Sequence, residues 1–264
     1  MAKKTTTVDN SIFARRKTED VFKPALTNVH IYGKSNTVCN TDAKGYATPG
    51  GRNDKDIVID TSEGFVPLWA KNQHLRWRFN KDSFNYFQNP EAAKNGVRNL
   101  FSEALLKWGD AAPIKFSERD DAWDFEIVMS YSDDCNDYGC TLASAFFPDS
   151  GRHELVVYPK MFTQVHKEQI DTFIHELGHV FGLRHFFANI SETRWSSEVY
   201  GEHDPFTIMN YGHKSELTKN DKKDLKSLYQ KVWSKELTEI NGTKIIQVVP
   251  FHRLVEGYRS IHID

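Results

Sequence analysis

The sequence has few cysteines, no long apolar run and no excess of either charge. Its three cysteines leave at least one unpaired within a monomer, so cysteine content alone does not identify a cellular compartment. No stretch approaches the ~18 consecutive apolar residues of a membrane-spanning helix, which argues against such a span. Basic and acidic residues are interspersed, with a formal net charge of −2. We therefore expect neither nucleic acid nor an anionic membrane as the main partner.

The N-terminus also lacks a secretory signal. Met1-Ala2-Lys3-Lys4 is followed by polar residues, without the apolar run of ~7–15 residues that a signal peptide contains. Three explanations stay open. The chain remains in the cytoplasm, it is exported by a route that does not read such a signal, or the sequence has been trimmed.

The length and composition of the sequence suit one main domain with additional segments. Hydrophobic residues make up 39% and aromatic residues 13% of the 264 positions, which is ample for a core. We expect residues 1–70 to be an N-terminal extension, either pro-like or draped over the domain, and residues 71–235 to be the main domain. Residues 236–264 would be a tail, in which Asn241-Gly242 predicts a hairpin turn. We expect a monomer.

Hydrophobic periodicity predicts the main elements of residues 71–235. Apolar runs predict three strands, at residues 75–79, 125–129 and 155–158. Amphipathic stretches predict three helices, at residues 90–108, about 168–181 and about 219–232. Asn89 and Gly109 are suited to begin and end the first helix. Thr218 with Asp221 resembles a capping box at the start of the third.

The most informative stretch reads His-Glu-Leu-Gly-His-Val-Phe-Gly-Leu-Arg-His. On a helix, His175 and His179 lie four residues apart, so both imidazoles leave the same face. Gly182 can end this helix in a left-handed conformation and let the chain turn back, which brings in His185 as a third ligand. Three protein ligands with an open position are typical of a catalytic zinc site, whereas structural zinc sites have four.

This motif resembles the zinc-binding sequence of the metzincin metallopeptidases, and a second match lies downstream. Thr207-Ile208-Met209-Asn210-Tyr211-Gly212 resembles the Met-containing turn below the zinc in that clan. The resemblance implies that Met209 forms an apolar floor under the imidazoles. It also implies that Tyr211 faces the zinc, as a tyrosine of astacins and serralysins does, and binds the metal or stabilises the oxyanion. The alternative for Tyr211 is a tyrosine buried for packing.

Upstream segments are similar to another branch of the clan, the matrixins. Leu142-Ala143-Ser144-Ala145-Phe146-Phe147-Pro148 resembles the matrixin edge strand above the cleft, and the likeness covers about residues 74–230. A protein or peptide substrate would add as a strand to the edge formed by Ala143, Ser144, Ala145 and Phe146. Ser144 stands where matrixins use a histidine to bind a second, structural zinc. We therefore expect that second site to be absent.

The resemblance implies a fold of the α+β class, the zincin or metzincin fold. Its expected parts are a twisted, mostly parallel sheet with an antiparallel edge strand, an active-site helix and a C-terminal helix. Residues 71–235 would then be the catalytic domain.

Together, the motif and the resemblance predict a zinc-dependent endopeptidase with one catalytic zinc ion. Zinc held by three neutral imidazoles would lower the pKa of a bound water to roughly 7. Glu176 would accept the proton of this water as general base and pass it to the departing amine. The alternative is a zinc-containing binding protein that keeps the fold without a productive cleft, for instance with the N-terminal segment across it.

The cysteines leave two further questions open. Cys39 is a candidate fourth ligand that holds the enzyme latent, as a pro-segment cysteine does in matrixins, although its neighbours do not match their motif. A nearby aspartate would serve equally (Asp42, Asp54, Asp56 or Asp60), or Cys39 has no regulatory role. Cys135 and Cys140 lie five residues apart and form either a loop disulfide or two reduced thiols.

Overall fold

The structure is a computed structural model, which describes residues 10–15, 37–38, 57–60, 64–136, 139–185, 197–200, 207–209 and 215–261. The strands of these residues are, in chain order, β1 (Thr37–Val38), β2 (Ile57–Asp60), β3 (Val66–Trp69), β4 (His74–Phe79), β5 (Lys115–Glu118), β6 (Phe125–Met129), β7 (Asp134–Asn136), β8 (Gly139–Thr141), β9 (Ala143–Ser144), β10 (His153–Val157), β11 (Ser197–Tyr200), β12 (Glu239–Ile240) and β13 (Thr243–Val248). The α-helices are α1 (Pro90–Trp108), α2 (His166–Val180), α3 (Lys219–Trp233) and α4 (Phe251–Ile261).

The largest sheet has five strands in the order β5-β4-β6-β10-β9. Neighbouring strands pair in parallel from β5 to β10, whereas β9 pairs antiparallel with β10 at the edge. Along β4, Leu75, Trp77 and Phe79 are buried and alternate with partly exposed residues, as expected of a half-buried strand. The predicted fold class, a mostly parallel sheet with an antiparallel edge strand, is therefore confirmed.

The helices begin and end close to their predicted limits. The Asn89 side chain accepts a hydrogen bond from the amide of Ala92 and caps α1, which ends at Gly109 with φ +60°. Thr218 and Asp221 form the predicted capping box of α3. The second helix, α2, begins two residues earlier and ends one residue earlier than predicted, and it packs against α1. Within the described residues, no helix combines the length and the apolar composition needed to cross a bilayer.

The C-terminal tail extends a second sheet, of order β12-β13-β3. Asn241 and Gly242 connect β12 to β13 with φ values of +48° and +86°, which suit a two-residue hairpin turn. Strands β12 and β13 therefore form a hairpin at Asn241-Gly242. Strand β13 also pairs in parallel with β3, whose four residues are all buried. Although β3 lies in the stretch assigned to the N-terminal extension, it is part of the core.

The sequence did not predict the helix α4, and its start explains why. The carboxylate of Asp124 accepts a hydrogen bond of 2.8 Å from the amide of His252 and lies 2.9 Å from its Nδ1. It also accepts a bond of 2.7 Å from the amide of Arg76 in β4. The group at the N-terminus of α4 thus comes from a distant part of the chain. Locally, Gly257 disfavours a helix by about 1 kcal/mol relative to alanine.

Residues 10–15 dock on the main domain. Phe13 is buried and stacks on Phe162, with ring centroids 3.8 Å apart. It also lies against Gly96 of α1, where an added Cβ would come within 2.7 Å of the Phe13 ring. The Asn10 side chain accepts a hydrogen bond of 3.2 Å from Gln169 of α2. This part of the N-terminal stretch is therefore packed against both helices.

Candidate metal centre

Helix α2 carries two of the predicted ligands and the predicted base. His175, Glu176 and His179 each expose at most 1% of their surface. The helix is held from α1 by the indole of Trp108, which donates a hydrogen bond of 3.0 Å to the carbonyl of Ile174. The position of the ligands therefore depends on packing in the core.

The turn after α2 brings His185, the third predicted ligand, close to His175 and His179. The helix ends at Val180, and Gly182 adopts φ +93°. An added Cβ at Gly182 would lie 3.1 Å from Leu68 Cδ2, so both the conformation and the space favour glycine. His185 follows three residues later and is fully buried. The ring centroids of the three histidines lie 4.7, 4.9 and 5.0 Å apart.

The three imidazoles converge through their Nε2 atoms. The Nε2 of His175 lies 3.0 Å from that of His179 and 3.0 Å from that of His185. Metal–nitrogen distances of about 2.0–2.1 Å in a tetrahedron give an edge of about 3.3 Å, close to these separations. Within the described residues, these histidines are the one group of three or more histidine, cysteine or carboxylate side chains with ligand atoms within 4.8 Å of one another.

The opposite ring nitrogens indicate the tautomer of two of these histidines. His175 Nδ1 lies 2.7 Å from the carbonyl of Ile208, and His179 Nδ1 lies 2.7 Å from the carbonyl of Leu183. A carbonyl only accepts, so each Nδ1 must carry the hydrogen and each Nε2 of the neutral ring keeps a lone pair. Two such lone pairs 3.0 Å apart repel each other unless a cation lies between them. The donor set therefore fits a divalent metal ion, with no charged ligand.

The segment that contains Met209 is hydrogen-bonded to both α2 and α3. The Ile208 carbonyl that orients His175 belongs to this segment, and Thr207 donates a hydrogen bond to the carboxylate of Asp221 in α3. Burial raises the pKa of Asp221, and hydrogen bonds from Thr207 and Thr218 oppose this effect. Met209 is itself buried. The predicted floor residue thus lies in a segment that is tied to α3 as well as to the ligand.

Gly178 explains how Met209 approaches the helix. A Cβ built on Gly178 would lie only 2.4 Å from the Met209 sulfur, so the thioether packs directly on the helix backbone. Gly178 lies between the two helical ligands in sequence. Its position inside a predicted helix is the signal in the sequence, because a glycine there often marks close packing.

The predicted substrate strand lies at the edge of the main sheet. Ala143 and Ser144 form β9, the last strand in the order of that sheet, which pairs antiparallel with β10. Ala145 and Phe146 follow directly and are buried. Phe147 contacts the predicted ligand His179 edge to face, with ring centroids 5.5 Å apart. The edge strand and the histidines are therefore close neighbours.

Two candidate site residues lie outside the described residues, whereas the cysteine pair at positions 135 and 140 lies within them. Tyr211 and Cys39 fall in stretches that the structure does not describe, so their roles stay predictions. Cys135 and Cys140 are joined by a disulfide, which links the antiparallel strands β7 and β8. Strand β8 ends two residues before β9 begins.

Comparison with known proteins identifies relatives of this chain. The sequence matches the model of the matrixin family, Peptidase_M10, over residues 68–230. It is 30% identical to macrophage metalloelastase of Rattus norvegicus over 146 residues, which cover 48% of this chain and 31% of that protein. It is 26% identical to metalloendoproteinase 4-MMP of Arabidopsis thaliana over 137 residues, 45% of this chain and 38% of that protein. The matches thus span about a third of the length of these relatives.

Solved structures of myroilysin are also similar. One has a TM-score of 0.39 at 14% identity and covers 61% of this chain and 82% of that chain. A second has a TM-score of 0.39 at 12% identity and covers 71% of this chain and 92% of that chain.

Proposed function

The chain belongs to the matrixin family, and on that premise we propose that it is a zinc-dependent endopeptidase that hydrolyses proteins or peptides. The names of its relatives, a metalloelastase and a metalloendoproteinase, agree with this activity. We also propose that residues 71–235 are the catalytic domain, with residues 1–70 as an N-terminal extension whose strand β3 is part of the core, and residues 236–264 as a tail that pairs with β3.

One observation carries the proposal: three buried imidazoles present Nε2 atoms at the spacing of tetrahedral ligands. Carbonyl acceptors at Nδ1 orient the rings of His175 and His179 toward the shared centre. Imidazole nitrogens are ligands that zinc accepts readily, whereas calcium and magnesium require oxygen. Three protein ligands leave a fourth position for water or substrate, which favours a catalytic role over a structural one.

The chemistry divides between the metal and the side chains of this chain. When bound, zinc would acidify a water molecule and polarise the scissile carbonyl. Glu176 would accept the proton from the attacking water and pass it to the departing amine, so that one carboxylate serves both steps. Tyr211 would donate a hydrogen bond to the developing oxyanion. The edge at Ala143 to Phe146 would align the substrate backbone by main-chain hydrogen bonds, without reading its sequence.

A second candidate is a metal-binding protein whose cleft is closed. The near absence of solvent exposure at the three histidines and Glu176 favours this alternative. Latency through Cys39 would be a reversible form of the same closure. Replacing Cys39 with alanine should then raise the activity of freshly purified protein, and unchanged activity would argue against thiol latency.

The central experiment measures cleavage of an unfolded protein substrate. We expect cleavage that a chelator abolishes and added zinc restores. Glu176→Gln should lose this activity by orders of magnitude and still bind one zinc ion per chain. The matched control is Glu168→Gln, the same change near the start of the same helix, which should remain active.

The outcomes separate the two candidates. One zinc ion per chain without cleavage, in Cys39→Ala as well as in the unchanged protein, would favour the closed metal-binding protein. Near-normal cleavage by Glu176→Gln would contradict the assignment of the base.

A further inference from the structure

The last four carbonyl groups of a helix have no partner within it, and in α2 all four find one. Two are satisfied locally. The amide of Leu183 donates to the carbonyl of Gly178 at 2.9 Å, and the amide of Gly182 donates to the carbonyl of His179 at 2.8 Å. This pair of bonds, with a glycine of positive φ between them, is a Schellman motif.

The other two carbonyls are satisfied by side chains from distant elements. The indole of Trp69, in β3, donates a hydrogen bond of 2.7 Å to the carbonyl of Val180. The phenol of Tyr229, in α3, donates a bond of 3.1 Å to the carbonyl of Phe181. The same phenol accepts a bond of 3.3 Å from the amide of Trp69. Trp69 and Tyr229 therefore hold the turn as a linked pair.

Burial makes this pair rigid and keeps it hydrogen-bonded. Trp69 and Tyr229 each expose no more than 1% of their surface. Burial also raises the pKa of Tyr229 well above its ordinary value, so the phenol remains protonated at neutral pH. The indole of Trp233 donates a bond of 3.0 Å to the carbonyl of Trp69, and β13 pairs along β3. Trp69 is thus fixed by its backbone as well as by its side chain.

The turn that these residues hold carries the ligand geometry. Leu183 supplies the carbonyl that orients His179 at 2.7 Å, and His185 follows two residues later. A shift of the turn would therefore move both this carbonyl and the backbone that leads to His185. The side chains of Trp69 and Tyr229 hydrogen-bond to carbonyls of this turn. They therefore fix its position relative to β3 and α3.

We propose that Trp69 and Tyr229 are positioning residues for the metal ligands His179 and His185. They act through the carbonyls of Val180 and Phe181 and touch neither metal nor substrate. The inference rests on the proposed function, because it presumes that the three histidines bind a metal ion.

The test measures metal binding by the full chain with the phenol removed. In Tyr229→Phe, we expect the affinity for Co(II), measured by competition with a chromophoric chelator, to fall about 10-fold, the lower end of the effect of outer-shell partners. The visible absorption bands of the cobalt-loaded protein should also change in position or intensity, because they report the ligand geometry. Thermal unfolding of the metal-free protein shows whether the variant is folded.

Ser83→Ala is the matched control. The Ser83 hydroxyl donates to the carbonyl of Asn80 at 2.8 Å and accepts from the amide of Met129 at 3.1 Å, so it bridges one carbonyl and one amide as Tyr229 does. It lies outside the turn after α2. We expect a comparable loss of thermal stability, with unchanged cobalt affinity and spectrum.

Each outcome bears on the proposal. Wild-type affinity and spectrum in Tyr229→Phe would overturn it, and so would equal losses of affinity in Tyr229→Phe and Ser83→Ala. Should Tyr229→Phe not fold, Trp69→Phe, which removes the donor to Val180 together with part of the ring, faces the same criteria. A wild-type chain that takes up no cobalt would instead overturn the proposed function, and this inference with it.

Discussion

Replacing Gly182 with alanine should destabilise the protein more than the same change at Gly64, and it should also weaken metal binding. Both glycines have positive φ, +93° at Gly182 and +83° at Gly64. A left-handed conformation costs a residue with a Cβ about 1–2 kcal/mol. The reduced freedom of the unfolded chain offsets about 0.4–1 kcal/mol of this cost. At Gly64, where an added Cβ meets nothing within 4 Å, the net loss should be about 1 kcal/mol.

At Gly182, a packing cost adds to the conformational one. The added Cβ would lie 3.1 Å from Leu68 Cδ2 and 3.5 Å from Pro148 Cγ, and Leu68 is fully buried in β3. Overpacking of this kind costs about 1–3 kcal/mol. The total loss at Gly182 should therefore be about 2–4 kcal/mol. Because Gly182 is followed by Leu183, whose carbonyl orients His179, the same shift should disturb the metal centre.

Urea unfolding of the two metal-free variants measures the first effect, and competition with a chelator for zinc measures the second. We expect the zinc affinity of Gly64→Ala to equal that of the unchanged protein and that of Gly182→Ala to be lower. Equal stability of the two variants, together with equal zinc affinity, would refute the reasoning.

Three further predictions concern other parts of the molecule. Asp124→Ala should lower the free energy of unfolding by about 3–5 kcal/mol, because it leaves the amide and the ring of His252 buried without an acceptor. Urea unfolding measures this loss, and a value below about 1 kcal/mol would contradict the prediction. Gly96→Ala should destabilise the protein by about 1–3 kcal/mol, because the added Cβ would meet Phe13. This cost should exceed the gain from the higher helix propensity of alanine. A stabilised variant would show that the contact with Phe13 is absent. Burial raises the pKa of Asp221, so its contribution to stability is largest below its unfolded pKa of about 3.9 and falls as pH rises through the folded value. An NMR titration that gives a folded pKa at or below about 3.9 would contradict this.

Local sequence predicted those features that depend on near neighbours. The helix face shared by His175 and His179, the left-handed Gly182 and the capping box at Thr218 each involve residues within four positions of one another. Their geometry follows from backbone periodicity and from short-range hydrogen bonds. The edge position of β9 also agreed with the structure, but that prediction came from a family resemblance.

The parts that the sequence did not predict depend on contacts between distant residues. The cap of α4 is Asp124, which precedes that helix by more than a hundred positions. The donors to the end of α2 are Trp69 and Tyr229, aromatic residues that form no motif. Nothing in an isolated tryptophan or tyrosine indicates that its polar atom will bond to a particular carbonyl, because that depends on how separate elements pack.

The pairing of β13 with β3 has a consequence for biosynthesis. Ile245 pairs with Val66, so the strand that carries Trp69 obtains its neighbour from more than 170 positions later in the sequence. Contacts between residues so distant in sequence form late, because the intervening loop must close first. On the ribosome, β13 also emerges after β3 and α2, because it follows both in the sequence. A nascent chain would therefore hold all three histidines before β13 had been synthesised, so Trp69 would gain this neighbour only after the segment with the histidines had been made.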